Sequence, residues 1–227
     1  MTPWKLLDSA QIPGDGTELR LYARGDEHSI TIAGSSGELM GSRVHGSEDA
    51  LAQFACARVA QRERPRLLIG GLGLGYTLAA ALRHTGATAE IVVAELVPAV
   101  VRWNRELLGH HAGHPLRDER VAVHEGDVGL LLKEAPQAYD AILLDVDNGP
   151  EGLTRRDNNW LYSVQGLTAA FRALRPDGVL AVWSAGPDQV FAERLRRIGF
   201  EVEERRVRAS AARKGAQHTV WLAGRGP

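Results

Sequence analysis

Leu67-Leu68-Ile69-Gly70-Gly71-Leu72-Gly73-Leu74-Gly75 is the stretch on which the reading of this chain turns. A short apolar run hands over to four glycines in six positions, and a helical pattern opens at Tyr76. Glycine lets the backbone turn sharply at a strand end and leaves no side chain between it and a ligand. The stretch therefore reads as strand, bare-backbone turn and helix N-terminus. Taken alone, a tight strand-to-helix loop of no special function gives the same pattern.

On the C-terminal side the alternation continues. Strands are expected at 90–95, 121–124, 141–145, 178–184 and 200–207, with helices at 76–84, 98–108, 128–134, 163–174 and 187–198. Pro98 and Pro187 suit a helix's first turn, and Arg175-Pro176-Asp177-Gly178 reads as a stop and turn. The strands are nearly continuous apolar runs, as when helices cover both sheet faces. The fold class is thus α/β, a Rossmann-like, mostly parallel sheet. A last run at 218–223 is expected to pair with 200–207 as an antiparallel edge hairpin.

Residues 1–45 differ. Short strand-like runs at 19–23, 29–33 and 38–43, split by Gly25-Asp26 and Gly34-Ser35-Ser36-Gly37, predict a small antiparallel β-meander. Residues 46–227 form the second unit. Ser47 is the expected N-cap of its first helix, followed by acidic Glu48 and Asp49 and the apolar stripe Leu51, Phe54, Ala55 and Val59.

Acids stand at the strand ends. Glu95 closes the second strand of the alternating region, twenty residues past Gly75, where a carboxylate can accept the hydroxyls of a ribose. Gly126-Asp127 follows the third strand, where a carboxylate or backbone can read an adenine amino group, and Asp145 ends the fourth. In an open α/β sheet these positions face one crevice.

The same residues carry a resemblance. From about Glu38 to Ala223 the chain resembles the spermidine synthase family of polyamine aminopropyltransferases, which share the class I AdoMet-methyltransferase fold. The matching pieces are Ile69 to Gly75, Val93-Ala94-Glu95-Leu96 with Val100 and Val101, and Asp118-Glu119-Arg120-Val121 through Glu125-Gly126-Asp127. Tyr139-Asp140-Ala141-Ile142-Leu143-Leu144-Asp145-Val146-Asp147-Asn148-Gly149-Pro150 with Leu161-Tyr162-Ser163 completes the match. The resemblance implies a co-substrate, S-adenosylmethionine or its decarboxylated form, held by Gly70, Gly71, Gly73, Gly75, Glu95, Leu96, Gly126, Asp127 and Asp145. It implies that Asp145 positions and deprotonates a small-molecule amine acceptor, and that the protein is a homodimer; a cytoplasmic protein without a metal is expected from its cysteine and histidine usage. Asp147, Asn148, Trp160 and Tyr162 are the acceptor-side candidates, although Asp147 equally suits a turn cap and Trp160 and Tyr162 suit lid packing.

The chain also departs from the family. Gly73 stands where members carry an acid that binds the aminopropyl amine, the Asp-x-x-Asp-Pro pattern is altered at 145–150, and Val44-His45-Gly46-Ser47-Glu48 replaces an aromatic-containing motif. Aminopropyl transfer, methyl transfer to a small molecule and a non-catalytic binding role all stay open, and an NAD-dependent dehydrogenase is disfavoured.

Composition excludes other classes. Of 227 residues, 27 are Lys or Arg and 28 Asp or Glu, so no global field favours nucleic acid or membrane. The arginine-rich segment from Arg205 to Lys214 lacks the interleaved aromatics of a nucleic-acid surface. The single Cys56 rules out an intrachain disulfide and fits a reducing cytosol. The N-terminal residues lack the pattern of a signal peptide, and the glycines interrupt the longest apolar stretch well short of the ~20 residues of a membrane span. His110, His111 and His114 lie among Gly109, Gly113 and Pro115, and read as a solvated loop with no metal bound.

Overall fold

A computed structural model describes residues 2–14, 16–34, 37–146, 158–209 and 216–227. Strands β1 (Lys5–Gln11), β2 (Glu18–Arg24), β3 (Glu27–Ile32) and β4 (Glu38–Gly41) form an antiparallel sheet in that order. The meander thus has one strand more than the sequence pattern predicts. β1 escapes the pattern because it is an edge strand whose leucines Leu6 and Leu7 stay exposed, so it carries no alternation of apolar and polar residues. Asp8 anchors it, accepting hydrogen bonds from Trp103 Nε1 and Arg102, both at 2.7 Å.

Helix α1 (Gly46–Arg58) leads into the main sheet. There follow β5 (Arg66–Gly70), α2 (Tyr76–His84), β6 (Glu90–Glu95), α3 (Pro98–Trp103), β7 (Val121–Glu125), α4 (Val128–Glu134) and β8 (Tyr139–Leu144). Then come α5 (Asn158–Leu161), α6 (Val164–Ala173), β9 (Leu174–Ser184), α7 (Gln189–Ile198), β10 (Glu201–Arg208) and β11 (Gln217–Gly224). The seven strands are ordered β10-β11-β9-β8-β5-β6-β7. β9, β8, β5, β6 and β7 are mutually parallel, while β11 runs antiparallel to both β9 and β10. The expected edge hairpin is present, with its second strand on the inside. The chain leaves β5 toward β6 on one side and returns to β8 on the other, so the order reverses between β5 and β8, where such sheets open a crevice.

Apolar continuity explains the centre: all six residues of β8 and four of five in β5 are buried. Leu21 and Ile30 of the small sheet share a buried cluster with Leu51, Leu67 and Val93, so the two sheets close on one core. Among the described residues no helix is long and apolar enough to cross a membrane.

Several local expectations change. Ser47 is not the N-cap. His45 holds that position, two residues earlier, and the Gly46 N–H at the helix start donates to Ala209 O (2.8 Å). Pro187 precedes the cap Asp188, whose Oδ1 accepts the Phe191 N–H. The residues 175–178 do not stop the chain but continue as the first part of β9, with Asp177 at φ 60° and a register shift opposite Tyr139 and Ala141. The helix expected over 98–108 is regular only to Trp103 and continues as a π turn, Asn104–Leu108, then a 3₁₀ turn, Gly109–Ala112. At the junction the buried Asn104 amide donates to Val100 O (2.9 Å) and Gly73 O (2.7 Å), and so competes for a helical carbonyl.

Asp140 on β8 is 1% exposed and pins the N-terminal ends of the central strands. Its Oδ2 accepts the Arg66 N–H and Arg175 Nη1, both at 2.8 Å, and Arg62 Nε lies 3.7 Å from Oδ1. Asp140→Ala leaves a buried N–H without its acceptor, and is expected to cost about 2 kcal/mol in urea unfolding. An unchanged midpoint would show that this carboxylate does not hold the strands.

Candidate functional site

The turn after β5 cannot be made with side chains. At Gly71 φ is 90°, and a Cβ there would lie 2.3 Å from the Asp145 carbonyl oxygen. Bare backbone is what lets the ends of β5 and β8 approach each other, and the Asp145 N–H then reaches Gly70 O at 2.9 Å. At Gly73, φ is 52° and a Cβ would press on Met40 Sδ at 3.1 Å.

Glu95 fixes the loop from the neighbouring strand. It is 8% exposed; Oε2 accepts the Leu72 N–H and Oε1 the Val97 N–H, each at 2.9 Å. A carboxylate has roughly four acceptor directions, so these two amides do not preclude hydroxyls of a sugar. Asp127 is the N-cap of α4, with Oδ1 accepting the Gly129 N–H at 2.7 Å.

These elements border a cleft with apolar walls and a few convergent polar groups, the make-up of a small-molecule site. Of the residues expected to hold a nucleoside, Gly71, Gly73, Glu95, Leu96, Gly126, Asp127 and Asp145 all line it. Gly70 and Gly75 do not. A Cβ on Gly70 would meet Leu144 and Val128, and one on Gly75 would meet Pro115 and Asn104, so their smallness serves packing. The opposite wall is the small sheet, through Leu19, Ile32, Leu39 and Met40.

A second cavity adjoins the first and shares Leu39, Met40, Gly73 and Asp145 with it. Its other walls include Glu48, Tyr76, Thr77 and Trp183. Asp145 therefore stands where the two cavities meet. Thr77 Oγ1 donates to its Oδ2 at 2.5 Å. Burial, joined by the nearby Glu48 carboxylate, pushes Asp145 up to about 7 against the opposing pull of the Thr77 bond. Burial also raises Glu48, partly offset by the Ser47 hydroxyl that donates to its Oε2 at 2.6 Å. His45 stacks on Tyr76 at 4.2 Å and bonds Asp49 through Nδ1 at 2.9 Å, which braces this side of the cavity.

Glu48 and Thr77 were not candidates on sequence. Glu48 looks like an ordinary first-turn acid, and only the packing of α1 against α2 turns it toward Asp145. Thr77 carried a usable signal, a hydroxyl two residues past the last glycine of the turn, in the first turn of α2. On the acceptor side, Trp160 and Tyr162 take the packing places that their sequence context also allows. Trp160 borders a separate groove with Leu132 and Val164, where Lys133 Nζ sits 4.1 Å from its ring centre. Tyr162 is buried edge-on to Phe191 and its hydroxyl donates to Val146 O at 3.2 Å. Neither borders the two cavities; Leu161 between them does. Trp160, in α5, packs against Gly129 and Lys133 of α4, and Tyr162, just past α5, packs against Phe191 of α7. Asp147 and Asn148 lie outside the described residues.

Comparison with known proteins accords with this geometry. The family model described as spermine/spermidine synthase domain matches residues 48–194. Polyamine aminopropyltransferase 1 of Streptomyces coelicolor is 35% identical over 123 residues, which is 53% of this chain and 22% of that protein. The polyamine aminopropyltransferase of Oceanobacillus iheyensis is 32% identical over 176 residues, 75% of this chain and 32% of that protein. The matched stretch thus spans a third or less of these curated relatives. Among solved structures, a spermidine synthase from Thermotoga maritima superposes with a TM-score of 0.75 at 16% identity, covering 97% of this chain and 72% of its own. A spermidine synthase in complex with the transition state analogue AdoDATO gives 0.74 at 17% identity, with the same coverage of each chain. At those identities the likeness speaks for the fold, a methyltransferase-like sheet behind a small β-sheet. The family model, which covers well over half of the chain, carries the assignment: this chain belongs to the spermine/spermidine synthase family.

Proposed function

We propose that this protein transfers an aminopropyl group from decarboxylated S-adenosylmethionine to a small-molecule amine. The observation that carries the proposal is Asp145, a carboxylate of raised proton affinity at the junction of the cleft lined by the glycine turn, Glu95 and Asp127 and a second, acidic cavity. The curated relatives are named as polyamine aminopropyltransferases, which supports the same reading.

In this scheme Glu95 and Asp127 bind the ribose and adenine, and Gly71 lets the backbone approach the ligand. Residues 1–45 act as a small domain that walls the cleft of the catalytic domain, 46–227. The acceptor amine enters the second cavity, attracted by Glu48. An alkylammonium holds its proton with a pKa near ~10.4, so it must lose that proton to be a nucleophile. Asp145 orients the amine and accepts the proton. The nitrogen lone pair forms the new N–C bond while the electron pair of the C–S bond leaves with sulfur, turning the sulfonium into a neutral thioether. Both carboxylates favour the positive charges brought together before transfer. Holding amine and sulfonium in line supplies much of the acceleration, on the order of 7–11 kcal/mol in favourable cases.

Gly73 favours a second reading, methyl transfer from intact S-adenosylmethionine. It offers no acid for the aminopropyl ammonium, and Met40 closes the space above it. Calorimetry with the two sulfoniums separates the readings: tighter binding of the decarboxylated form supports aminopropyl transfer, and a preference for the intact form overturns it.

Three variants test the chemistry. Asp145→Asn is expected to bind the sulfonium normally and lose at least ~100-fold in kcat; near-normal turnover would remove Asp145 from the mechanism. A carboxyl that binds its proton more tightly in the folded state contributes stability that is full below the unfolded value, near ~4, and is lost as pH rises through about 7. The same Asp145→Asn variant should therefore melt above the parent at pH 8, by a margin that narrows toward pH 5.

The acid limb of kcat/KM, which reports the free enzyme, should lie near pH 7, set by Asp145. Thr77→Val removes a bond to the charged form and should move that limb upward by about one unit. Glu48→Gln removes the neighbouring negative charge and should move it downward, while raising KM for the amine and leaving sulfonium affinity intact. Shifts of the same sign in both variants would contradict the assigned roles.

A further inference from the structure

Sequence spacing pairs His110 with His114, but the fold groups a different set. His28 lies on β3 of the small sheet, while His110 and His111 lie in the 3₁₀ turn Gly109–Ala112 beyond the π turn. One ring nitrogen of each lies within 4.8 Å of those of the other two. His28 Nδ1 and His111 Nε2 are 2.8 Å apart. The ring centres are 4.0 Å apart for His110 and His111, 4.9 Å for His28 and His111 and 5.8 Å for His28 and His110. His114 is turned toward Gly109 instead, with Nδ1 placed 2.9 Å from where a Cβ there would sit.

We infer that His28, His110 and His111 form a binding site for a divalent transition-metal cation of the zinc type, which clamps the small sheet onto the main one. Imidazole is a preferred ligand of zinc and its neighbours in the first transition row, at about 2.0–2.1 Å from nitrogen to metal. In a tetrahedral shell that distance separates two nitrogens by about 3.3 Å. The observed separations bracket this value, so small rotations of the rings bring three lone pairs onto one ion. His110 is already oriented for it. Its Nδ1 is 2.8 Å from Leu107 O, and a carbonyl can only accept, so Nδ1 carries the proton and Nε2 keeps its lone pair. A second nitrogen fixed by a backbone carbonyl is how protein-bound metals hold their histidines. His28 and His111 are half-buried, whereas His110 is exposed, which leaves a fourth position for a water from solvent. Three imidazoles this close repel one another when protonated, and a shared cation removes that conflict.

The ion would join two parts of the cleft wall. β3 contributes Ile32 to the cleft and pairs with β2 and β4, which contribute Leu19, Leu39 and Met40. The histidine turn follows α3, whose Val100 lines the opposite side. Closing the cluster fixes the position of the small sheet over the pocket. The site is independent of which group the protein transfers.

The experiment uses the full chain without an affinity tag, stripped of metal by chelator. Zn²⁺ is titrated by calorimetry, and Co²⁺ replaces it for visible absorption. One ion per chain, a raised melting temperature and the intense bands of low-coordinate cobalt are expected. His28→Ala, His110→Ala and His111→Ala should each weaken Zn²⁺ binding by more than about tenfold. His84→Ala and His114→Ala should bind as the parent does. Melting without metal separates lost ligation from lost fold, and His28→Gln replaces His28→Ala where the latter melts early. Absence of stoichiometric binding overturns the inference, and so does binding that survives the loss of His28, the ligand from the small sheet.

Discussion

The Glu95 carboxylate spans two loops, bonding the amide of Leu72 after β5 and that of Val97 after β6. Its burial is tolerable only because those amides accompany it, since an unpaired charge at that depth costs several kcal/mol. The bonds in turn settle the course of the glycine turn. With Leu72 held, Gly71 must pass against the Asp145 carbonyl, and Gly73 must face Met40. The cleft is therefore shaped by a polar contact in its own floor, and the group placed to meet a ligand also holds the loop that admits it.

A comparable economy governs Asp145. A carboxylate ionises near ~3.9 in water, yet burial and Glu48 hold this one near 7. The fold gives up stability at neutral pH to keep an acid whose proton affinity suits exchange with an amine. Thr77 limits the shift from one side and Glu48 extends it from the other, and both come from helices that start at this rim of the sheet, α2 and α1. The apolar walls supply the low dielectric in which these opposing contacts count.

The parallel core could be read almost residue by residue from the chain. β6 and helices α2 and α4 fall where their apolar runs, the glycine turn and Asp127 put them, because burial on both faces leaves a continuous signal. Elements whose position depends on partners were not legible. β1 is held by Asp8 contacts to α3 rather than by its own pattern, and the residues 175–178 look like a turn yet lie within β9, as the bulge between the pairs Tyr139–Leu174 and Ala141–Val179. The nucleoside-side candidates that line the cleft lie at or just past the ends of successive strands, a property visible in one dimension. Glu48 was not singled out because the packing of α1 against α2 decides which of its residues meet the second cavity. The histidine cluster was hidden for the same reason, since His28 is remote in sequence from His110 and His111.

The π turn after α3 bears on how this segment tolerates changes of length. A π turn holds one residue more than the α-helical ladder needs, and it begins at Asn104, whose amide secures Gly73 O. Deleting a residue within 105–108 would let the ladder run on regularly, and everything downstream would rotate by about 100° around the helix axis. His110 and His111 would swing off the small sheet while Asn104 kept its hold on the glycine turn. The extra residue thus works as a spacer that sets two unrelated contacts in phase, and an insertion or deletion there is far costlier than one in an ordinary surface helix.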